Sequence, residues 1–184
     1  MEFTLEQLES AKQLAYKYHD GQYRDGNQQI PYIEHPKKVV DLLKRFGYEN
    51  DYYIQALGWM HDTLEDCSNV NVEQLISLFG ENFVYDLNIL TYKPQDRLYD
   101  KAIYMLNICE YSETDLRLFI LKCADRFCNV VDFHESDDPK KKQYAYKYFN
   151  KAEILWIYLF KCNDVKLDNV KKMYHIVKKI ISKY

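Results

Sequence analysis

Residues 59 to 66 read Trp59-Met60-His61-Asp62-Thr63-Leu64-Glu65-Asp66. Apolar residues recur at helical spacing before this segment, which predicts that it continues a helix. The four titratable side chains in it are costly to bury unless something pairs with them. A divalent metal ion is one partner that could hold His61 and Asp62 together. In a helix, Glu65 would lie on the same side as both, which suits a carboxylate facing a metal-bound water.

A complete set of metal ligands needs further residues from elsewhere in the chain. His35 precedes Pro36, and a residue before proline is held extended, which aims its side chain. Asp125 lies in an otherwise apolar helical stretch, with Asn129 one turn later. Two imidazoles and two carboxylates would suit manganese, iron or zinc. The alternative interpretation makes His35 a helix-capping residue, and Asp125 and Asn129 a polar pair on the surface.

The rest of the chain shows helical periodicity and no alternating segment long enough to predict a strand. Thr4 with Gln7 resembles a capping box, Asn50 is a plausible N-cap, and Gly80 would end a helix that begins near Asn71. Further helices are predicted at about 97–111, 114–133, 138–161 and 164–183. The fold class is therefore predicted as all-α, a bundle of about eight to ten helices in a single domain over residues 1–184.

Composition limits the classes of function. The net charge of −3 argues against a general nucleic-acid binder, although a local cluster of cations could still bind a small polyanion. Five cysteines without a CxxC pair indicate reduced thiols and a cytoplasmic protein. No apolar run approaches the roughly 18 residues that span a bilayer. These features predict no nucleic-acid partner and no membrane association, allow a small polyanionic molecule as a partner, and leave the oligomeric state undetermined.

A second His-Asp pair, His19-Asp20, stands directly before Gly21. The first helix is predicted to end there. A histidine near the C-terminus of a helix is favoured by the helix dipole. We therefore interpret His19 as a helix-end residue rather than as a metal ligand.

Five ordered motifs resemble those of a known family. The order of His35, His61-Asp62 and Asp125 is similar to that of HD-domain phosphohydrolases. The finer resemblance is to small alarmone hydrolases, the stand-alone relatives of the hydrolase domain of RelA/SpoT proteins. It spans about residues 8 to 160 and rests on these segments: His19-Asp20-Gly21-Gln22-Tyr23-Arg24, Pro31-Tyr32-Ile33-Glu34-His35-Pro36, His61-Asp62-Thr63-Leu64-Glu65-Asp66, Ala124-Asp125-Arg126-Phe127-Cys128-Asn129 and Tyr148-Phe149.

The resemblance implies roles for particular residues. It implies one manganese ion, or another divalent ion, bound by four ligands: His35, His61, Asp62 and Asp125. Glu65 and Asp66 match the acidic pair that acts on the water or the leaving group. The residues that match substrate contacts are Arg24, Lys93, Asn129 and Tyr148. The implied reaction is hydrolysis of the 3′-pyrophosphate of guanosine tetra- or pentaphosphate, which gives GDP or GTP and pyrophosphate.

The sequence departs from the family pattern directly after Arg24. Close relatives have a second basic residue there, whereas this chain has Asp25, whose carboxylate would repel a pyrophosphate. An alternative substrate is therefore a less charged nucleotide: the 2′-phosphate of NADPH, a nucleoside monophosphate or a cyclic nucleotide. A third interpretation is a non-catalytic nucleotide-binding protein, which would have no need of both Glu65 and Asp66.

Overall fold

The computed structural model describes residues 3–24, 30–92 and 101–182. It divides into two compact units, residues 1–99 and residues 100–184, which we describe separately. Over the described residues the secondary structure is helical, with one isolated antiparallel bridge between Tyr23 and Pro31 and no strand. The predicted all-α fold class is confirmed. That the chain forms a single domain stays a prediction.

The first unit contains helices α1 to α6, which are Leu5–Tyr18, Glu34–Leu43, Tyr52–Met60, Thr63–Asp66, Val72–Phe79 and Glu81–Leu90. Three sequence signals mark their ends as predicted. Thr4 and Gln7 form the capping box of α1, Asn71 caps α5, and Gly80 follows the last residue of α5. The predicted cap at Asn50 is wrong, because the Asp51 side chain accepts the N–H of Ile54 instead.

Helix α3 packs against both α1 and α2, and its residues 54–60 are buried. Gly58 allows the close approach to α2. A Cβ atom at this position would lie 3.0 Å from side-chain atoms of both Val40 and Leu43. Because α2 carries His35 and α3 ends directly before His61, this approach also determines how near the two histidines can lie.

Replacement of Gly58 by alanine should lower the free energy of unfolding by about 1 kcal/mol. Overpacking costs typically about 1–3 kcal/mol, which exceeds the gain of about 1 kcal/mol from the better helix former. The added methyl group should also push α2 away from α3 and weaken metal binding at the two histidines. Urea unfolding and metal titration measure the two effects. Unchanged stability together with unchanged metal affinity would contradict this account of Gly58.

The second unit contains helices α7 to α11, which are Lys101–Tyr111, Leu116–Glu135, Pro139–Asn150, Glu153–Lys161 and Asp168–Ile181. Helix α8 packs against α9 and α11, and nearly all of its residues from Leu118 to Val130 are buried. The single helix predicted at 138–161 is wrong, because Lys151 and Ala152 form a turn between α9 and α10. The start of the helix predicted at 97 lies outside the described residues.

The five cysteines are free thiols, as predicted, and four of them are buried. Among the described residues, none of the helices combines the length and the apolar character that crossing a bilayer requires.

Candidate active site

His61 and Asp62 lie in a turn between α3 and α4, not inside one continuous helix as predicted. The Nδ1 atom of His61 is 2.9 Å from the carbonyl oxygen of Gly58. In a continuous helix that carbonyl would accept the N–H of residue 62. The contact sets the direction of the His61 ring, because an Nδ1–H that donates to Gly58 leaves the lone pair on Nε2.

His35, His61 and Asp62 come together in the first unit. The Nε2 atoms of His35 and His61 lie 3.6 Å and 3.2 Å from the two oxygens of the Asp62 carboxylate. One ligand atom from each residue lies within 4.8 Å of the others, so the three could hold one metal ion. Both imidazoles are almost fully buried, whereas the Asp62 side chain is 16% exposed. His35 lies inside α2, whose N-cap residue is Ile33, so the extended backbone and the capping role expected from its sequence position are both wrong.

Tyr32 connects Asp62 with Asp66. Its hydroxyl lies 2.8 Å from Oδ2 of Asp62 and 2.6 Å from Oδ2 of Asp66. Burial and then the negative charge of the two carboxylates raise the pKa of Tyr32 well above its ordinary value. The hydroxyl therefore keeps its proton at neutral pH and acts as the donor to the carboxylates.

Glu65 and Asp66 are both exposed, yet each is held by a hydrogen bond. A side-chain oxygen of Glu65 accepts the backbone N–H of Tyr92, 3.0 Å away, just after the end of α6. Asp66 accepts from Tyr32. The guanidinium of Arg24 lies 5.4 Å from the centre of the Tyr32 ring, whose hydroxyl contacts Asp62 and Asp66.

His19 occupies the C-cap position of α1, as its sequence position predicted, but it is 3% exposed. Its ring stacks on Tyr32 with a centroid distance of 4.7 Å, and its Nδ1 atom lies 2.8 Å from Oε1 of Gln22. Burial lowers the pKa of His19, although the Gln22 hydrogen bond and the nearby Asp62 and Asp66 oppose this shift. The neutral, buried His19 ring therefore packs against the face of the Tyr32 ring.

Asp125 belongs to helix α8 of the second unit. It is 3% exposed, so the interpretation of Asp125 as part of a surface polar pair is wrong. Its Oδ1 atom accepts from Nδ2 of Asn129 at 2.6 Å, and its Oδ2 atom lies 2.8 Å from Nζ of Lys122. Two side chains of the same helix thus fix the orientation of the carboxylate.

The residues expected to contact substrate are distributed over both units. Arg24 lies in the first unit, beside the Tyr32 ring. Lys93 lies outside the residues that the structure describes, as does Asp25. In the second unit, the Asn129 amide donates a hydrogen bond to Asp125. The guanidinium of Arg126 lies over the Tyr148 ring, 4.5 Å from its centre. The sequence interpretation gave no role to Tyr32 or Gln22, although both lie inside the quoted motifs.

Comparisons with known proteins match the chain to a part of longer enzymes named as guanosine-3′,5′-bis(diphosphate) 3′-pyrophosphohydrolases or as GTP diphosphokinases. No protein-family model matches it. It is 31% identical over 148 residues to a guanosine-3′,5′-bis(diphosphate) 3′-pyrophosphohydrolase of Borreliella burgdorferi, covering 77% of this chain and 21% of that protein. A protein of the same name from Aquifex aeolicus is 31% identical over 147 residues, covering 76% of this chain and 20% of that protein. The chain thus spans about a fifth of the length of these curated relatives.

A solved structure matches the chain over nearly its whole length. It is that of a metazoan ortholog of SpoT that hydrolyses ppGpp, with a TM-score of 0.73, 19% sequence identity and 97% of each chain covered. This likeness shows the shared helical fold. Together with the sequence matches, it confirms the predicted resemblance to RelA/SpoT-type hydrolases.

Proposed function

We propose that this chain, which resembles RelA/SpoT-type hydrolases over most of its length, is itself a metal-dependent 3′-pyrophosphohydrolase of guanosine tetra- and pentaphosphate. The observation that carries the proposal is the buried cluster of His35, His61 and Asp62, whose ligand atoms lie within 4.8 Å of one another. The names of the relatives supply the reaction. We also propose that the two units act as one hydrolase domain.

The donor set of the cluster fits a divalent ion. Two neutral imidazoles and a carboxylate are ligands that manganese, iron and zinc accept. We propose manganese as the ion and Asp125 as the fourth protein ligand. When bound, such an ion supplies a nucleophilic water at neutral pH and offsets the charge of a phosphate. The burial of His35 and His61 supports this assignment, because it holds both rings in fixed orientations beside the Asp62 carboxylate.

The remaining acidic residues are suited to proton transfer. In the proposed reaction, water adds to the phosphorus bonded to ribose O3′, the bond from that phosphorus to O3′ breaks, and O3′ takes up a proton. Glu65 and Asp66 orient the water and handle these protons, since both are exposed and each is held by a hydrogen bond. General acid–base groups of this kind contribute typically about 10²- to 10⁴-fold to rate.

The phosphates need cations close to this pair. Arg24 lies beside Tyr32, which contacts Asp66, and Lys93 follows directly after Tyr92, whose N–H holds Glu65. We propose that Arg24 and Lys93 bind the 3′-diphosphate, and that Asn129 and Tyr148 contact the nucleoside. Positive charge at the position where negative charge develops stabilises the transition state.

One sequence feature favours a second candidate substrate. Asp25 occupies a position at which close relatives have a basic residue, and a carboxylate beside Arg24 weakens binding of a highly charged diphosphate. A less charged substrate, such as the 2′-phosphate of NADPH, a nucleoside monophosphate or a cyclic nucleotide, would tolerate this carboxylate better.

A substrate panel tests the proposal. The purified protein is incubated with Mn²⁺ and, separately, with guanosine tetraphosphate, NADPH, nucleoside monophosphates and cyclic nucleotides, and the products are separated by ion-exchange chromatography. We expect guanosine tetraphosphate to give GDP and pyrophosphate, and EDTA to stop the reaction. If the protein hydrolysed one of the other nucleotides but not guanosine tetraphosphate, the second candidate substrate would be the correct one. If all of these nucleotides stayed intact in Mn²⁺, the result would favour a protein that binds a nucleotide without cleaving it.

A further inference from the structure

The Tyr32 hydroxyl links the two kinds of acidic residue at the candidate site. It lies 2.8 Å from the carboxylate of Asp62 and 2.6 Å from that of Asp66. Asp62 belongs to the cluster that could hold a metal ion, and Asp66 belongs to the proposed proton-transfer pair. A single O–H group cannot donate fully to both oxygens, so the two carboxylates share one donor. This contact fixes the distance between them.

Asp66 is also held through its backbone. Nε2 of Gln22 donates to the Asp66 carbonyl oxygen at 3.0 Å. An exposed aspartate without such contacts would sample several rotamers, since only packing or hydrogen bonds select one. Tyr32 and Gln22, which lie about 40 residues earlier in the chain, therefore restrict both the backbone and the carboxylate of Asp66.

The Tyr32 ring is itself supported on its face. His19 stacks on it at 4.7 Å with an interplanar angle of 16°, and His19 is in turn bonded to Gln22. Arg24 lies 5.4 Å from the centre of the same ring. The hydroxyl therefore has little freedom to move away from the two carboxylates.

We propose that Tyr32 is a positioning residue of the hydrolase, whose hydroxyl holds the Asp66 carboxylate beside the metal ligand Asp62. His19 and Gln22 keep Tyr32 and the Asp66 backbone in place. This inference rests on the proposed function, because it assigns Tyr32 a role in the same reaction. It gives a function to the motif residues His19, Gln22 and Tyr32, which neither bind the ion nor touch the reacting atoms.

The first test is Tyr32→Phe, which removes one oxygen and keeps the ring. With saturating Mn²⁺, we expect kcat to fall about 10- to 100-fold, the usual loss when a residue that orients a metal ligand or its neighbour is removed. KM for the nucleotide should change less than about threefold, since Tyr32→Phe keeps the ring beside Arg24, the proposed phosphate contact. Tyr16→Phe, an exposed tyrosine of α1, is the matched control and should leave both constants unchanged.

A double-mutant cycle shows whether Tyr32 acts through Asp66. In an Asp66→Asn background, the added Tyr32→Phe change should lower kcat less than about twofold, because coupled residues do not add. If Tyr32→Phe instead cost as much in that background as in the wild type, the positioning role at Asp66 would be wrong. Thermal unfolding verifies that the variants are folded. Should Tyr32→Phe not fold, Gln22→Met tests the other contact to Asp66 and should lower kcat with little change in KM.

The same experiments separate this inference from the function on which it rests. A wild-type protein that turns over none of the nucleotides would remove the proposed function, and the inference with it. An active wild type together with a fully active, folded Tyr32→Phe variant would overturn the inference alone.

Discussion

Replacement of Asp62 by asparagine is expected to remove the bound metal ion and to lower kcat by about 10³-fold. The change keeps the shape of the side chain but removes the negative charge that faces His35 and His61 at 3.6 Å and 3.2 Å. An amide is a much weaker ligand than a carboxylate, and the loss corresponds to about 4 kcal/mol of transition-state stabilisation. Elemental analysis of the purified variant and steady-state kinetics in Mn²⁺ measure the two effects.

The second His-Asp pair provides the matched control. Asp20 follows His19 as Asp62 follows His61, but Asp20 is exposed and outside the candidate cluster. Asp20→Asn should therefore keep both metal content and kcat. An Asp62→Asn protein with full metal content and full turnover would show that the cluster of His35, His61 and Asp62 is not the catalytic centre.

Local signals predicted the helix ends of the first unit well. Thr4 and Asn71 cap helices as their side chains and spacing indicate, and Gly80 adopts the positive φ of 88° that glycine tolerates. Two breaks were not predictable from periodicity. The turn at Lys151 and Ala152 contains neither glycine nor proline. At the end of α3, the His61 side chain contacts the Gly58 carbonyl, and no sequence signal indicates this contact.

The sequence indicated the three residues that form the candidate cluster but not the residues that surround them. His61 and Asp62 could be identified because titratable side chains interrupt an apolar helical pattern there. His35 could be identified because it precedes a proline and matches a family motif. The contacts of Gln22 and Tyr32 with Asp62 and Asp66 join residues 30 to 44 positions apart along the chain. Such contacts depend on the tertiary fold, and a single sequence contains no periodic signal for them.

Asp125 shows a related difficulty on helix α8. The sequence left open whether its carboxylate faces solvent or the interior, because Asp125 and Asn129, one helical turn apart, could also form a polar pair on the surface. In the structure the side chains of Lys122 and Asn129 both contact the Asp125 carboxylate, and Asp125 is 3% exposed. A buried carboxylate needs a partner. Nζ of Lys122 at 2.8 Å and the amide of Asn129 at 2.6 Å provide two.

Replacement of Lys122 by methionine is therefore expected to lower the free energy of unfolding by about 3–5 kcal/mol in metal-free protein. The side chains of Lys122 and Asp125 are only 9% and 5% exposed, so solvent cannot take over the role of the lost cation. Methionine keeps most of the volume beside the Tyr104 ring, over which the ammonium group lies. Urea unfolding in EDTA measures the loss. If Asp125 is a ligand, added Mn²⁺ should restore part of the stability, because binding to the folded state stabilises it.

Two further variants separate this effect from a general loss of charge. Lys37 and Glu34 form an ion pair with the same three-residue spacing at 3.3 Å, but their side chains are 48% and 41% exposed. Lys37→Met should therefore change stability by no more than about 1 kcal/mol.

The double variant Lys122→Met/Asp125→Leu should recover most of the stability, because a buried ion pair can often be replaced by apolar residues at little cost. It should nevertheless remain inactive, since the proposed ligand is absent. A loss below about 1 kcal/mol for Lys122→Met alone would contradict the importance assigned to the buried pair.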